Sequence, residues 1–182
     1  MIENNIDSLS LVIPCHNEED AITNTLNIYL KYLSDLKKRK LISTFEIITV
    51  NNGSTDQTLN KLIEFKNFFP ISIINLKRNY GYTSSYLAGM FHTKNNMIIT
   101  VSADLHEDYM KIKRMIEIYY RTGNPVLGVY KKRHATFVKN FFSKLYYTFI
   151  NSIKIPIVKH HADFRLITKK NNINFFKSLP PF

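Results

Sequence analysis

The sequence predicts an α/β domain with a mostly parallel sheet that is covered by helices on both faces. Short apolar runs rich in Val, Ile and Leu recur over the first two-thirds of the chain. Amphipathic stretches of helical length separate these runs, and this alternation is typical of parallel sheets. Polar segments follow the ends of the runs. Ligands of such sheets bind outside the carboxyl ends of the strands, so these segments form the candidate site.

The strands are predicted from the position of each apolar run and from the turn residues that follow it. A first strand ends before a His-Asn-Glu segment, and a second ends at an Asn-Asn-Gly-Ser turn. A short strand late in the chain completes the set. The predicted strands are residues 9–14, 45–50, 71–76, 97–101, 125–130 and 164–168.

Four helices are predicted between the first five strands. The first begins at Asn17, which offers a cap, with Glu18 in its first turn, and ends near residue 38. The second is capped by Ser54 or Thr55 and ends near residue 67. The third passes through Ser85. The fourth spans residues 107–121.

The composition predicts one folded domain over residues 1–182. The chain is 45% hydrophobic and 13% aromatic, which is enough to bury a core and argues against disorder. Its one cysteine, Cys15, excludes an internal disulfide and is consistent with a reducing compartment. No uninterrupted apolar stretch reaches 18 residues, so no segment is predicted to span a bilayer alone.

The net charge of +11 indicates an anionic partner: a nucleic acid, a phospholipid or a phosphorylated substrate. The alternative is compositional drift in a chain rich in Lys, Asn and Ile. The asymmetry favours a partner, because residues 128–170 hold ten Lys and Arg and one acid, Asp163. Within this segment, residues 137–153 predict a basic amphipathic helix that either lies on a membrane surface or packs on the domain.

Asp104 is the first candidate metal ligand, because it follows an apolar strand at the predicted sheet edge. Carboxylates suit hard cations such as Mg²⁺ and Mn²⁺. His106, two residues on, is a candidate second ligand. The alternatives are that Asp104 caps a helix and that His106 is an exposed loop residue.

Six segments in order resemble the family 2 glycosyltransferases of the GT-A fold, and most of all the polyprenyl- or dolichol-phosphate sugar transferases. The resemblance covers roughly residues 9–176. Two of the segments match the metal motif and the opening strand with its Pro-x-x-Asn-Glu-Glu turn. The matching segments are 10–19, 50–58, 78–81 with Ala88-Gly89, 102–106, 128–133 and 162–166.

The resemblance implies a role for each matched position. It implies a Mg²⁺ or Mn²⁺ held by Asp104 and His106, an acceptor or phosphate site at Arg133 and Arg165, and catalytic roles for Asp104 and Asp163. Asp163 would act as a base or orient the acceptor. The nucleotide-sugar pocket is implied at Pro14, Asn17, Glu18, Asn52, Ser54, Asp56, Arg78, Gly81, Ser102, Ala103 and Asp104.

Some positions depart from the family pattern. Ser102 stands where the metal motif has its first Asp, and Asn51 and Asn52 replace two acids. Tyr130 stands where relatives often have Arg. A relative with reduced activity, or none, is therefore an alternative.

The function implied is an inverting transfer of a sugar from a nucleoside diphosphate to a polyprenyl phosphate at the cytoplasmic face of a membrane. Relatives of this type continue into membrane helices, so we expect the chain either to be truncated before them or to be a natural short form. The alternatives are transfer to a sugar hydroxyl in cell-surface polysaccharide synthesis, a non-catalytic membrane-associated protein and a nucleic-acid-binding protein. The last is disfavoured, because no recognition motif for nucleic acid is present.

Overall fold

The computed structural model describes residues 6–129 and 161–169. The chain divides into two units, residues 1–126 with 163–182, and residues 127–162. The predicted helix 137–153, Tyr130 and Arg133 lie outside the described residues. The elements are β1 Leu9–Cys15, α1 Ile22–Lys38, β2 Phe45–Asn52, α2 Thr58–Phe68, β3 Ile71–Leu76, α3 Tyr82–Phe91, β4 Met97–Thr100, α4 Lys111–Thr122, β5 Val126–Val129 and β6 His161–Thr168.

The sheet of the first unit has the strand order β3-β2-β1-β4-β6. Strand β1 pairs in parallel with β2 and with β4, so that Leu9 lies opposite both Phe45 and Met97. Strand β6 runs antiparallel to β4, with Arg165 opposite Thr100. The predicted mostly parallel sheet is confirmed. Among the helices of residues 6–129 and 161–169, none combines the length and apolar character that a bilayer crossing needs.

The central strand β1 is buried along its whole length, which explains its continuous apolar sequence. On one face of the sheet, Val12, Ile48 and Val50 form a core cluster with Tyr86 and Met90 of α3. Alternate residues of a strand point to opposite faces, and the alternate residues Leu11 and Ile13 are also fully buried. Both faces of the sheet are therefore covered.

Gly89 allows α3 to approach β1 closely. A Cβ at this position would lie 3.0 Å from Cγ2 of Val50 and closer still to Cγ1 of Val12. Val12 is β-branched and sits in the central strand, so it has little freedom to move away. Overpacking of this kind costs about 1–3 kcal/mol, whereas Ala in place of Gly adds only about 1 kcal/mol of helix propensity.

We therefore expect Gly89→Ala to lower the free energy of unfolding by about 1–2 kcal/mol, measured by urea denaturation. The matched control is the same substitution in a Val12→Ala background, where the space for the new methyl group is available. There Gly89→Ala should be neutral or stabilising. A stabilising effect in the wild-type background would contradict the packing argument.

Three of the predicted helix starts are wrong. Helix α1 begins at Ile22 instead of Asn17, α2 at Thr58 instead of Ser54 or Thr55, and α4 at Lys111 instead of Glu107. The capping residues of α1, α2 and α4 make no side-chain capping hydrogen bond. The polar residues that were predicted to cap these helices lie instead in the loops that follow the strands. These are loop 1 (16–21), loop 2 (53–57), loop 3 (77–81) and loop 4 (101–110).

Candidate active site

A cleft of about 390 Å³ opens at the carboxyl ends of β1, β2 and β4, beside the start of α3. It brings together Asn52 from the end of β2 and Asp104 from loop 4. Seven residues predicted for the nucleotide-sugar pocket line it. The lining consists of Pro14, Cys15, His16, Glu18, Asn52, Asn79, Gly81, Tyr82, Ser85, Ser102, Ala103 and Asp104.

Asn17 joins loops 1 and 2 and does not line the cleft. Its backbone N–H donates to Oγ of Ser54 at 3.0 Å, and its side-chain Oδ1 accepts from the backbone N–H of Thr55 at 2.9 Å. Asn17 has a φ of 56°, a conformation that Asn tolerates better than most residues. Asn17 and Ser54, both predicted to bind the nucleotide, therefore hold the two loops together.

Asp56 makes a second connection between the same loops. Its carboxylate accepts from the backbone N–H of Glu19 at 3.1 Å and from that of Thr58 at 3.0 Å. The hydroxyl of Thr58 in turn accepts from the backbone N–H of Glu18 at 2.8 Å. Burial alone would raise the pKa of Asp56, but the hydrogen bonds from Thr58 and Glu19 lower it below its ordinary value. Asp56 thus stays ionised and fixes Glu18 at the cleft.

Two carboxamides connect the end of β2 to loop 3. Oδ1 of Asn52 accepts from the backbone N–H of Tyr80 at 3.0 Å, and Oδ1 of Asn79 accepts from that of Gly81 at 2.8 Å. Backbone N–H groups only donate, so they fix the orientation of both carboxamides. Nδ2 of Asn52 then donates to Oδ1 of Asn79 at 3.0 Å. Both oxygens are engaged, so this wall of the cleft has mainly N–H groups to offer a ligand.

Loop 4 presents Asp104, whose carboxylate is exposed in the cleft. The loop is anchored to α1 by Thr25, whose buried hydroxyl donates to the carbonyl of Ala103 at 2.6 Å. Oδ1 of Asp104 accepts from the backbone N–H of His106 at 3.1 Å. Burial would raise the pKa of Asp104, but hydrogen bonds from the Ser102 side chain and the His106 backbone outweigh it, and the pKa lies below its ordinary value. Asp104 is therefore ionised near neutral pH.

The cleft concentrates negative charge. Burial raises the pKa of Glu18, the nearby carboxylates of Asp104 and Asp56 raise it further, and His16 opposes the rise. A cation bound near Glu18 and Asp104 would offset the repulsion between the two carboxylates and favour the ionised form of both. The ring nitrogen Nδ1 of His16 is buried and has no hydrogen-bond partner in the described part of the chain.

Arg78, Arg165 and His106 are not among the residues that line the cleft. Arg78 is exposed, and its guanidinium lies 5.0 Å from the centre of the Tyr80 ring. Arg165 is half-buried on β6, 5.1 Å from the centre of the Tyr86 ring. His106 contributes its backbone N–H to Asp104, while its side chain is not part of the cleft wall. The backbone of Asp163 belongs to β6.

A divalent cation is implied by the resemblance, and the donors present suit one that is shared with a diphosphate. Within residues 6–129 and 161–169, no three His, Cys, Asp or Glu side chains converge as a metal cage. Mg²⁺ is usually bound by one or two carboxylates together with substrate phosphates. An exposed, ionised carboxylate in an acidic cleft fits that mode of binding.

Several cleft residues were not predicted from the sequence. Asn79 and His16 lie inside matched motifs, so the motifs themselves were the signal. Tyr82 and Ser85 belong to the first turn of α3, and no pattern in the sequence marks them. The fifth, Cys15, sits at the end of β1, where its thiol donates to the carbonyl of Val50 at 3.4 Å.

The Cys15 thiol is expected to resist alkylation in the folded protein. Burial raises its pKa from 9.0 to about 12, with smaller contributions from Glu18 and Asp56. At pH 8 the folded thiol is then about 1,000-fold less ionised than the unfolded one, and the thiolate is the reactive form. Iodoacetamide labelling followed by mass spectrometry should modify the protein in urea and leave the native protein unmodified. Rapid labelling of the native protein would contradict the burial.

The same thiol affects the stability of the protein at high pH. Since the pKa of Cys15 is higher in the folded than in the unfolded protein, ionisation of the thiol lowers the free energy of unfolding as the pH rises above about 9.

The known proteins that resemble this sequence are glycosyltransferases. The sequence profile of glycosyl transferase family 2 matches residues 10–176. An uncharacterized glycosyltransferase of Synechocystis is 35% identical over 94% of this chain and 53% of its own length. An undecaprenyl-phosphate 4-deoxy-4-formamido-L-arabinose transferase of Shewanella sediminis is 31% identical over 78% of this chain and 42% of its own length. The chain thus spans about half the length of these curated relatives.

The fold also matches solved structures. A mannosyltransferase from Pyrobaculum calidifontis, solved in complex with GDP-Man and Mn²⁺, superposes with a TM-score of 0.54. It is 17% identical, and the match covers 64% of this chain and 33% of that protein. At this identity the likeness concerns the fold, and it agrees with the predicted GT-A architecture.

Proposed function

The chain belongs to glycosyl transferase family 2, and on that premise we propose that it transfers a sugar from a nucleoside diphosphate to a polyprenyl phosphate. The single observation that supports this most is the cleft at the strand ends. It combines an ionised Asp104 with a wall of carboxamide N–H groups at Asn52 and Asn79. Such a cleft suits a ligand that carries both a cation-bridged diphosphate and carbonyl or hydroxyl acceptors.

In this proposal the residues of the cleft bind different parts of the donor. Asp104 holds a Mg²⁺ or Mn²⁺, which would neutralise the charge of the departing diphosphate when bound. Asn52 and Asn79 donate to oxygen acceptors of the nucleoside. Glu18 lies beside Asp104, and its position is fixed by Asp56 and Thr58. Because these hydrogen bonds are formed in the folded protein, the site needs little reorganisation when the donor binds.

The polyprenyl phosphate acceptor is supported by the relative from Shewanella sediminis, whose name states undecaprenyl phosphate, and by the excess positive charge of residues 128–170. Anionic headgroups attract each Lys or Arg near a membrane by about 1 kcal/mol. We place Arg133 and Arg165 at the acceptor phosphate, because guanidinium groups bind phosphate in a bidentate manner. The site of action is then the cytoplasmic face of a membrane.

The proposed reaction inverts the anomeric centre. An oxygen of the acceptor forms a bond to the anomeric carbon while the bond from that carbon to the diphosphate oxygen breaks. A lipid phosphate is already ionised near neutral pH, so it needs no base to remove a proton. Asp163 would therefore orient the acceptor, whereas a sugar hydroxyl would require it as a base.

The direct test incubates the protein with Mn²⁺, radiolabelled UDP- or GDP-sugars and polyprenyl phosphate in detergent. The radiolabelled sugar should enter the organic phase, and mild acid should release it from the lipid. No label should enter the organic phase when free polyprenol is supplied in place of polyprenyl phosphate. Transfer to a saccharide in the aqueous phase would favour the hydroxyl acceptor. Absence of nucleotide-sugar binding in calorimetry, with or without Mn²⁺, would overturn the transferase proposal.

Asp163→Asn separates the two acceptor classes. With a lipid phosphate acceptor we expect kcat to fall less than about 10-fold, because no proton has to be abstracted. General base catalysis contributes about 10²- to 10⁴-fold, so a loss of that size would show that the acceptor is a hydroxyl. The measurement is kcat at saturating donor. The control is donor affinity, which should not change.

A further inference from the structure

Glu107 is a buried carboxylate that the proposed mechanism has not used. Its side chain is 8% exposed although it follows the cleft residue Asp104 by three positions. One of its oxygens, Oε2, accepts from the backbone N–H of Ser102 at 3.0 Å, and the same oxygen accepts from the hydroxyl of Ser102. The sequence placed Glu107 in the first turn of a helix, yet that helix begins at Lys111. Glu107 is thus committed to Ser102.

Ser102 has one hydroxyl proton and two carboxylates within reach. It lines the cleft together with Asp104, and its hydroxyl can also donate to that carboxylate. Asp104 is exposed to water and already accepts from the backbone N–H of His106. Glu107 is shielded from water, and a buried acceptor that loses its donor costs about 1–3 kcal/mol. Glu107 therefore competes with Asp104 for the hydroxyl proton of Ser102.

A cation bound to Asp104 would decide where that proton goes. It would repel the proton from Asp104, and Glu107 would accept it, so that the oxygen of Ser102 turns its lone pairs towards the cation. Serine and threonine hydroxyls serve as Mg²⁺ ligands in other phosphate-binding sites.

We infer that Glu107 is a positioning residue that takes the hydroxyl proton of Ser102 and so makes the Ser102 oxygen a neutral ligand for the cation held by Asp104. The inference rests on the proposed function, since it assumes a divalent cation in the cleft. It also gives a physical reason why this chain has Ser at position 102. A carboxylate there would face the buried carboxylate of Glu107 and repel it.

The test measures Mn²⁺ affinity in the presence of UDP, and separately of GDP, by the loss of the free Mn²⁺ signal in electron paramagnetic resonance. Loss of an oriented ligand partner lowers metal affinity about 10- to 100-fold. We expect Glu107→Met, which removes the acceptor at similar volume, to weaken Mn²⁺ binding about 10-fold. Glu107→Gln keeps an oxygen acceptor and should restore affinity to within about 3-fold of wild type. Ser102→Ala should resemble Glu107→Met.

The decisive measurement is the double variant. If Glu107 acts through the Ser102 hydroxyl, Glu107→Met should weaken Mn²⁺ binding by no more than about 3-fold in a Ser102→Ala background. An equal 10-fold loss in both backgrounds would overturn the inference, as would wild-type affinity in Glu107→Met. All affinities are measured well below the thermal midpoint of each variant, which separates lost binding from lost folding. A wild-type protein that binds no Mn²⁺ with either nucleotide would instead overturn the proposed function itself, and the inference with it.

Discussion

Replacing Asp104 by Asn is expected to lower the transfer rate by about 100- to 1,000-fold, the cost of removing one preorganised group that stabilises the developing charge. The substitution keeps the volume of the side chain and its acceptor for the backbone N–H of His106. It removes the negative charge of the Asp104 side chain from the cleft. The pKa of Asp104 lies below its ordinary value, so the wild-type carboxylate is ionised throughout the neutral range and the loss should not depend on pH there.

The matched control is Asp108→Asn in the same loop. Asp108 is exposed, accepts from the backbone N–H of Met110 at 3.1 Å and does not line the cleft. We expect it to retain nearly full activity. Radiolabel transfer and Mn²⁺ affinity should both fall in Asp104→Asn. An Asp104 variant that transfers sugar at the wild-type rate would remove the main support for the proposed site.

Gly53→Ala is the substitution that we expect to damage the fold of the site most. Gly53 has a φ of +64°, and a Cβ there would lie 2.5 Å from Cα of Arg78 and 2.6 Å from the backbone nitrogen of Asn79. A positive φ costs a residue with a Cβ about 1–2 kcal/mol, and overpacking adds about 1–3 kcal/mol. The obstacle is backbone, which has no alternative rotamer. We expect a loss of about 2–5 kcal/mol in the free energy of unfolding.

Gly123→Ala supplies the control for the backbone conformation alone. Gly123 ends α4 with a φ of +69°, and a Cβ there would meet no atom within 4 Å. It should lose only about 1 kcal/mol in urea denaturation. Gly53→Ala should also weaken nucleotide binding, because loops 2 and 3 must separate where Asn52 bonds to Asn79. Equal losses in the two variants would show that the contact between the loops is loose.

The strands were predictable because burial on both faces leaves a continuous apolar run, and that signal is local. Strand β1 was predicted at 9–14 and observed at Leu9–Cys15. The helix starts were not predictable, because the contacts that decide them are not local. Asn17 and Asp56 have the chemistry of capping residues, but Asn17 bonds to Thr55 and Asp56 bonds to Glu19, 38 and 37 residues away in another loop. Asp56 adds one local bond, from the backbone N–H of Thr58. A local pattern cannot distinguish the two uses of the same polar side chain.

The membership of the cleft was predictable only where a motif marked it. Asp104, Glu18 and Asn52 belong to matched segments, and the parallel order of the strands brings them to one edge of the sheet. Tyr82 and Ser85 line the cleft because α3 begins there, a consequence of how the chain crosses the sheet. Glu107 sits next to a motif, but its bond to Ser102 depends on a loop conformation that spacing does not reveal.

The antiparallel pairing of β6 with β4 has a further consequence for handling the protein. Strand β4 is fully buried and apolar except for Thr100, with β1 on one side, and its other side is covered by residues 165–168. A fragment that stopped short of those residues would leave a flat row of unsatisfied backbone N–H and C=O groups on a hydrophobic strand. Such edges recruit strands from other molecules. Shortened versions of this chain should therefore keep residue 168, or they will assemble into aggregates.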